Sequence, residues 1–123
     1  MTNSAQWQER GLQRMFSGQI SGDEIVNSNL SLQGHEKFDQ LRYIVNDFLD
    51  VIDFELTDHD IATIASIDHV AAKTNANIRI AIVLKLDSLR EWANLYIAKM
   101  QGSPYKFEIF EDLETANLWA RDF

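Results

Sequence analysis

Two hydroxyl side chains, Thr57 and Ser88, stand where a phosphate could be held. Each falls at the expected start of a helix, where unpaired backbone N–H groups and the helix macrodipole favour an anion. Leu56-Thr57-Asp58-His59-Asp60-Ile61 has the form of a capping box, with Thr57 as the cap, Asp60 three residues on, and Leu56 and Ile61 as the flanking staple. Ser88 and Glu91 repeat the pattern. The same spacing serves a plain structural cap. Asp53, Glu55, Asp58 and Asp60 around Thr57 would also repel a dianion, so capping is the simpler role and a phosphorylation switch the alternative. Neither serine-type catalysis nor acyl transfer is expected, because no Gly-rich elbow surrounds any serine.

Carboxylates are the next candidates. Nine lie between Glu36 and Asp68, against only Lys37 and Arg42. Asp47, Asp50, Asp53, Asp58 and Asp60 offer the oxygen ligands that hard cations prefer, but their spacing lacks the mid-loop Gly and closing Glu of a calcium loop. No metal or other cofactor is therefore expected. The reading preferred here is a surface for a protein partner, carried by Asp50, Asp53, Asp58, His59 and Asp60. His59 and His69 cannot share a zinc within one subunit, since ten residues of helix separate them by about 15 Å. His35, beside Gly34, reads as a solvated turn residue. Trp92, Tyr96 and Met100 recur at helical spacing; they suit a core stripe, or the wall of an apolar ligand cleft.

Composition bounds these options. The chain has 123 residues, 46% of them hydrophobic, and no Cys, which fits one domain with no disulfides or thiolate metal sites. Its net charge of -8 opposes binding to phosphate backbones or anionic lipid surfaces, and its basic residues are scattered. No nucleic-acid role is expected. The N-terminus has no signal-peptide pattern and no stretch is apolar enough to span a bilayer, so a cytoplasmic location is expected, with residues 1–6 as a flexible start.

Several elements must position these residues. A partly alternating β segment is expected over residues 7–17, broken at Gly11 and ending at Gly18. Ser21-Gly22-Asp23-Glu24 then caps a helix reaching about Leu32, with Gly34 as its stop. Residues 41–48 read as a strand, followed by an acidic loop and a helix from Thr57 that keeps Ile61, Ile64, Ala65, Ala71 and Ala72 on one face. Residues 78–84 form the most apolar run and suit a strand covered on both sides. Leu89, Trp92, Ala93, Tyr96 and Met100 define an amphipathic helix, residues 105–110 a last strand, and Asp112 the start of a helix turning Leu113, Ala116 and Trp119 inward. Alternating strands and helices of these lengths predict an α/β fold with a mostly parallel sheet, whose ligands are expected at the loops leaving the strands.

The order of these pieces resembles the SpoIIAA-like branch of the STAS domains, bacterial α/β modules related to lipid-binding Sec14-type domains. Gly18-Gln19-Ile20-Ser21, Asp47-Phe48, Ile80-Ala81-Ile82-Val83 and Phe110-Glu111-Asp112-Leu113-Glu114-Thr115-Ala116-Asn117-Leu118-Trp119 carry the resemblance over about residues 18–119. It implies a SpoIIAA-like fold and a regulatory or protein-interaction module without catalytic machinery. Well-known members place an Asp-Ser-Ser-Gly-like or Asp-Ser-Thr-Gly-like phosphorylation site after a central strand, where this chain has Leu56-Thr57-Asp58-His59. The expected function is a non-catalytic module that presents the acidic strand-to-helix surface to another protein or to a second copy of itself. The alternative is a carrier or sensor holding a small apolar or lipid-like molecule under residues 88–101.

Overall fold

A computed structural model describes residues 3–123 of the chain. The first two strands, β1 (Asn3–Trp7) and β2 (Gly11–Ser21), form an antiparallel hairpin closed by the Gln8 amide donating to the Gly11 carbonyl at 2.8 Å. Most of the start expected to be flexible is therefore paired backbone; residues 1 and 2 lie outside the described residues. From β2 the chain alternates: α1 (Gly22–Gln33), a 3-10 turn at Phe38–Gln40, β3 (Tyr43–Glu55), α2 (Asp58–Thr74), β4 (Arg79–Val83), α3 (Asp87–Lys99), β5 (Lys106–Phe110) and α4 (Leu113–Arg121). The five-stranded sheet runs β1-β2-β3-β4-β5, with β2 to β5 parallel.

Period-two alternation divides the core between two layers. Ile44, Ile80 and Ile82 join Leu12 and Phe16 beneath Leu32 of α1, Ala65, Ala71 and Ala72 of α2, and Leu89 and Ala93 of α3. Their neighbours Tyr43, Val45, Ala81 and Val83 face the other way, onto Ala116 and Ala120 of α4. Strand β4 is thus covered on both sides, as its unbroken apolar run predicts. No helix is long and apolar enough to cross a membrane among the described residues.

Three differences from the sequence reading concern the site. First, Asp50, Asp53 and Glu55 are not in a loop but on β3, which pairs with β2 as far as Ser21↔Glu55. Two register shifts, at Met15/Ser17 and Gly18/Gln19, fit the extra β3 residues, and Gly18 at φ +68° takes the left-handed conformation that such irregularities favour. Since β4 stops opposite Asp47, the ends of β2 and β3 project past it as a two-stranded ribbon. Second, Ser88 is not a cap: α3 starts at Asp87 behind Leu86, which makes no side-chain capping bond. Third, His35 is not simply solvated, because its ring stacks on Trp7 with centroids 4.0 Å apart.

Strand order leaves no switch-point crevice within the sheet. Ligands of open α/β sheets sit where strand order reverses, and this order never reverses. Space for a ligand must lie elsewhere.

Candidate functional site

That space lies between the sheet and the α1–α2–α3 layer, and polar residues at core positions shape it. Alternation along β2 puts Arg14 between Leu12 and Phe16 on the buried face, leaving it 6% exposed. On α2, Asp68 falls four residues after Ile64 and seven after Ile61, inside the apolar stripe. On α1, Asn29 sits between Ile25 and Leu32 by the same spacing. Helix α3 brings Tyr96 beside them.

These side chains form one network. The Arg14 guanidinium donates from Nε to Asn46 Oδ1 (2.8 Å) and from Nη1 to Ser28 Oγ (3.0 Å) and Asn29 Oδ1 (2.7 Å), with its plane near the Phe16 ring. Asn29 Nδ2 donates in turn to Asp68 (3.1 Å), which also accepts from Gln33 Nε2 (2.8 Å) and the Tyr96 hydroxyl (2.6 Å). Arg14 and Asp68 thus neutralise each other through an amide rather than by direct contact.

Burial dominates their electrostatics. It pushes the Arg14 guanidinium down to about 10, still charged at neutral pH, with Asp68 opposing the shift. It raises the Asp68 carboxyl above its ordinary value despite the hydrogen bond from Tyr96, the nearby charge of Arg14 and the hydrogen bonds from Asn29 and Gln33, all of which favour the anion. The Tyr96 and Tyr105 phenols are also raised, first by burial and then by the charge of Asp68. Tyr105 is 8% exposed and its hydroxyl has no hydrogen-bond partner among the described residues.

Apart from Ser28, these groups line a cavity of about 100 Å³. Its polar wall holds Arg14, Asn29, Gln33, Asn46, Asp68, Tyr96 and Tyr105; the rest is apolar, including Phe16, Phe48, Ile82, Leu89 and Trp92. Ile25, Phe48, Leu56 and Trp92, the half-buried apolar members, come from the end where strands finish and helices start, which places the mouth there. Phe16 and Phe48 stack face to face at 4.7 Å beside it.

Of the cleft residues expected from the sequence, Trp92 and Tyr96 line the cavity, whereas Met100 is buried in the core outside its wall. Thr57 caps α2 as expected: its Oγ1 accepts from the Asp60 amide (3.1 Å) and Asp60 Oδ2 accepts from the Thr57 amide (3.0 Å). Ser88 is exposed in the first turn of α3. Asp50, Asp53, Asp58 and His59 are exposed and Asp60 half-buried, gathered at the end of the ribbon where α1 and α2 begin. No cluster of three or more His, Asp or Glu side chains among the described residues is arranged to hold a metal ion.

Arg14, Asn29, Asp68 and Tyr105 were not singled out by sequence. The signal was present in three of them, each a polar residue at a position that the surrounding apolar spacing assigns to the core. Tyr105 carried no such signal.

No protein-family model matches the chain, and no curated protein sequence matches it. Among solved structures it is similar to an uncharacterised protein of the DUF3478 family from Shewanella loihica PV-4, described as having a SpoIIAA-like fold. The two are 19% identical with a TM-score of 0.58, over 96% of this chain and 91% of that one. At that identity the likeness speaks for architecture alone. The mostly parallel five-stranded sheet, its four helices and this match together show that the chain has a SpoIIAA-like α/β fold.

Proposed function

We propose that this chain is a non-catalytic binding module that takes a small, largely apolar molecule into the cavity beneath α3. One observation carries the reading: four groups whose proton affinity burial shifts, Arg14, Asp68, Tyr96 and Tyr105, line one mostly apolar cavity with a mouth. An apolar hollow with a few polar groups is the usual form of a small-ligand site. Its volume is of the order of the roughly 150 Å³ cavity that admits benzene in another protein. Native mass spectrometry of the purified protein tests this: a mass above that of the polypeptide by a discrete small molecule supports it, and a bare mass in every preparation speaks against it.

The acidic rim supports a second reading, a regulatory module that meets a basic protein surface. What favours it is the ribbon, which carries Asp50, Asp53 and Glu55 beyond β4 and sets them beside Asp58 and His59. Capping explains only Asp60 and, through the macrodipole, Asp58. Crosslinking in cells with the wild type and with Asp50→Lys/Asp53→Lys distinguishes the two readings. A partner lost on charge reversal supports the rim; an unchanged pattern removes it.

A further inference from the structure

We infer that the ligand of the cavity is an amine-headed amphiphile, with a short apolar chain inside the hollow and a protonated amine at its mouth beside the carboxylates of the β3–α2 connection. The inference rests on the cavity reading and adds the chemistry of the ligand's exposed end. Inside, the wall carries two charges, Arg14 and Asp68, and Asn29 bridges them, so the interior asks for no charged group. The remaining wall is mostly apolar, and a volume of about 100 Å³ limits the chain to a short alkyl group or a single ring. Tyr105 adds a buried hydroxyl with no hydrogen-bond partner among the described residues, a sign of a ligand site that is independent of the rim.

Charge stands at the mouth instead. Leu56 lines the cavity where β3 passes into α2, and Glu55 and Asp58, both exposed, lie one and two residues from it. Two residues of chain span at most about 8 Å, so an amine beside Leu56 stays within a Debye length of both carboxylates. Ile25, also on the wall, follows Asp23 and Glu24, and the starts of α1 and α2 meet at Gly22 and Asp60. Each helix start contributes a partial positive charge of about half a unit. The first turns of α1, α2 and α3 hold Asp23 and Glu24, Asp58 and Asp60, and Asp87, so full negative charges outweigh it. Against them stand Lys85 and Arg90, and Arg90 already pairs with Glu111 at 2.9 Å. The mouth is therefore negative, and an apolar ligand seated in it gains most from a cationic end.

Calorimetric titration of the full chain at low salt with hexylammonium, 1-hexanol and hexanoate tests this, since the three share one chain and differ in the head. Hexylammonium is expected to bind about fivefold more tightly than hexanol and to compete with it for one site, with hexanoate weakest. Salt at about 0.5 M should bring hexylammonium down to hexanol, because exposed charges are screened. Glu55→Gln/Asp58→Asn should remove much of the preference and leave hexanol unchanged, which also shows that the variant has folded. Hexanol or hexanoate binding as tightly as hexylammonium, hexylammonium binding without competition from hexanol, or a preference unmoved by the variant overturns the amine assignment and leaves the cavity reading standing. Failure of all three probes overturns both.

Discussion

Arg14 and Asp68 are joined by Asn29 rather than by contact, and this arrangement sets what their substitution should do. Removing one member of a buried charge pair leaves the other uncompensated. Arg14→Met should therefore cost about 3 kcal/mol, and Arg14→Met/Asp68→Asn much less than the sum of its single variants, as urea unfolding would measure. The pH dependence follows from the raised Asp68 carboxyl. Its proton is held more tightly in the native than in the unfolded chain, so this group favours folding at low pH and loses that contribution as pH rises from the ordinary carboxylate value through the native one. Asp112 behaves in the opposite sense: the Thr115 amide, then the Thr115 hydroxyl, hold its carboxyl below the usual range. Its contribution is present above the ordinary value and lost as pH falls through the native one. Asp68→Asn should flatten the first dependence and leave the second, in unfolding midpoints recorded across acid pH. Both charges were legible in principle, yet a lone charged residue in an apolar stripe reads as a break in the pattern until partners from two other elements are placed around it.

Elements with strong local signals matched their sequence pattern. Thr57 and Asp60 close the expected capping box, Ser21 accepts from the Glu24 amide at 3.3 Å, and Asp112 accepts from the Thr115 amide at 2.8 Å. Thr57→Ala should cost about 1 kcal/mol by denaturant titration. The β2–β3 ribbon was hidden because Asp50, Asp53 and Glu55 disfavour strand on propensity, and only pairing with residues 17–21 holds them extended. Distant contacts set other features too. A Cβ on Gly22 would collide with the Asp60 carboxyl group, so the starts of α1 and α2 meet only because position 22 is glycine. Gly22→Ala should disturb the Thr57–Asp60 cap and destabilise by about 1–3 kcal/mol, more than Thr57→Ala alone. Asn75 holds the turn before β3 by donating to the Phe38 and Leu41 carbonyls, both at 2.9 Å. No local pattern marks that role.

Across the whole molecule, the strand order and the charge distribution lead to different surfaces. A sheet that grows in one direction has no crevice at its edge, so the candidate sites are the interlayer cavity and the acidic end of the ribbon. With a net charge of -8 and much of it at that end, the native state repels itself. Raising salt should therefore increase the melting temperature by a few degrees, an effect weakened in Asp50→Lys/Asp53→Lys. Where the ligand binds is best tested by nuclear magnetic resonance on isotope-labelled protein titrated with toluene, a neutral probe that reports the hollow without engaging its charges. Shifts confined to the Trp92 indole N–H and the methyl groups of Ile25, Ile61, Ile82 and Leu89 are expected; shifts centred on β1 or α4, or saturating titrations that move none of these signals, would contradict the account.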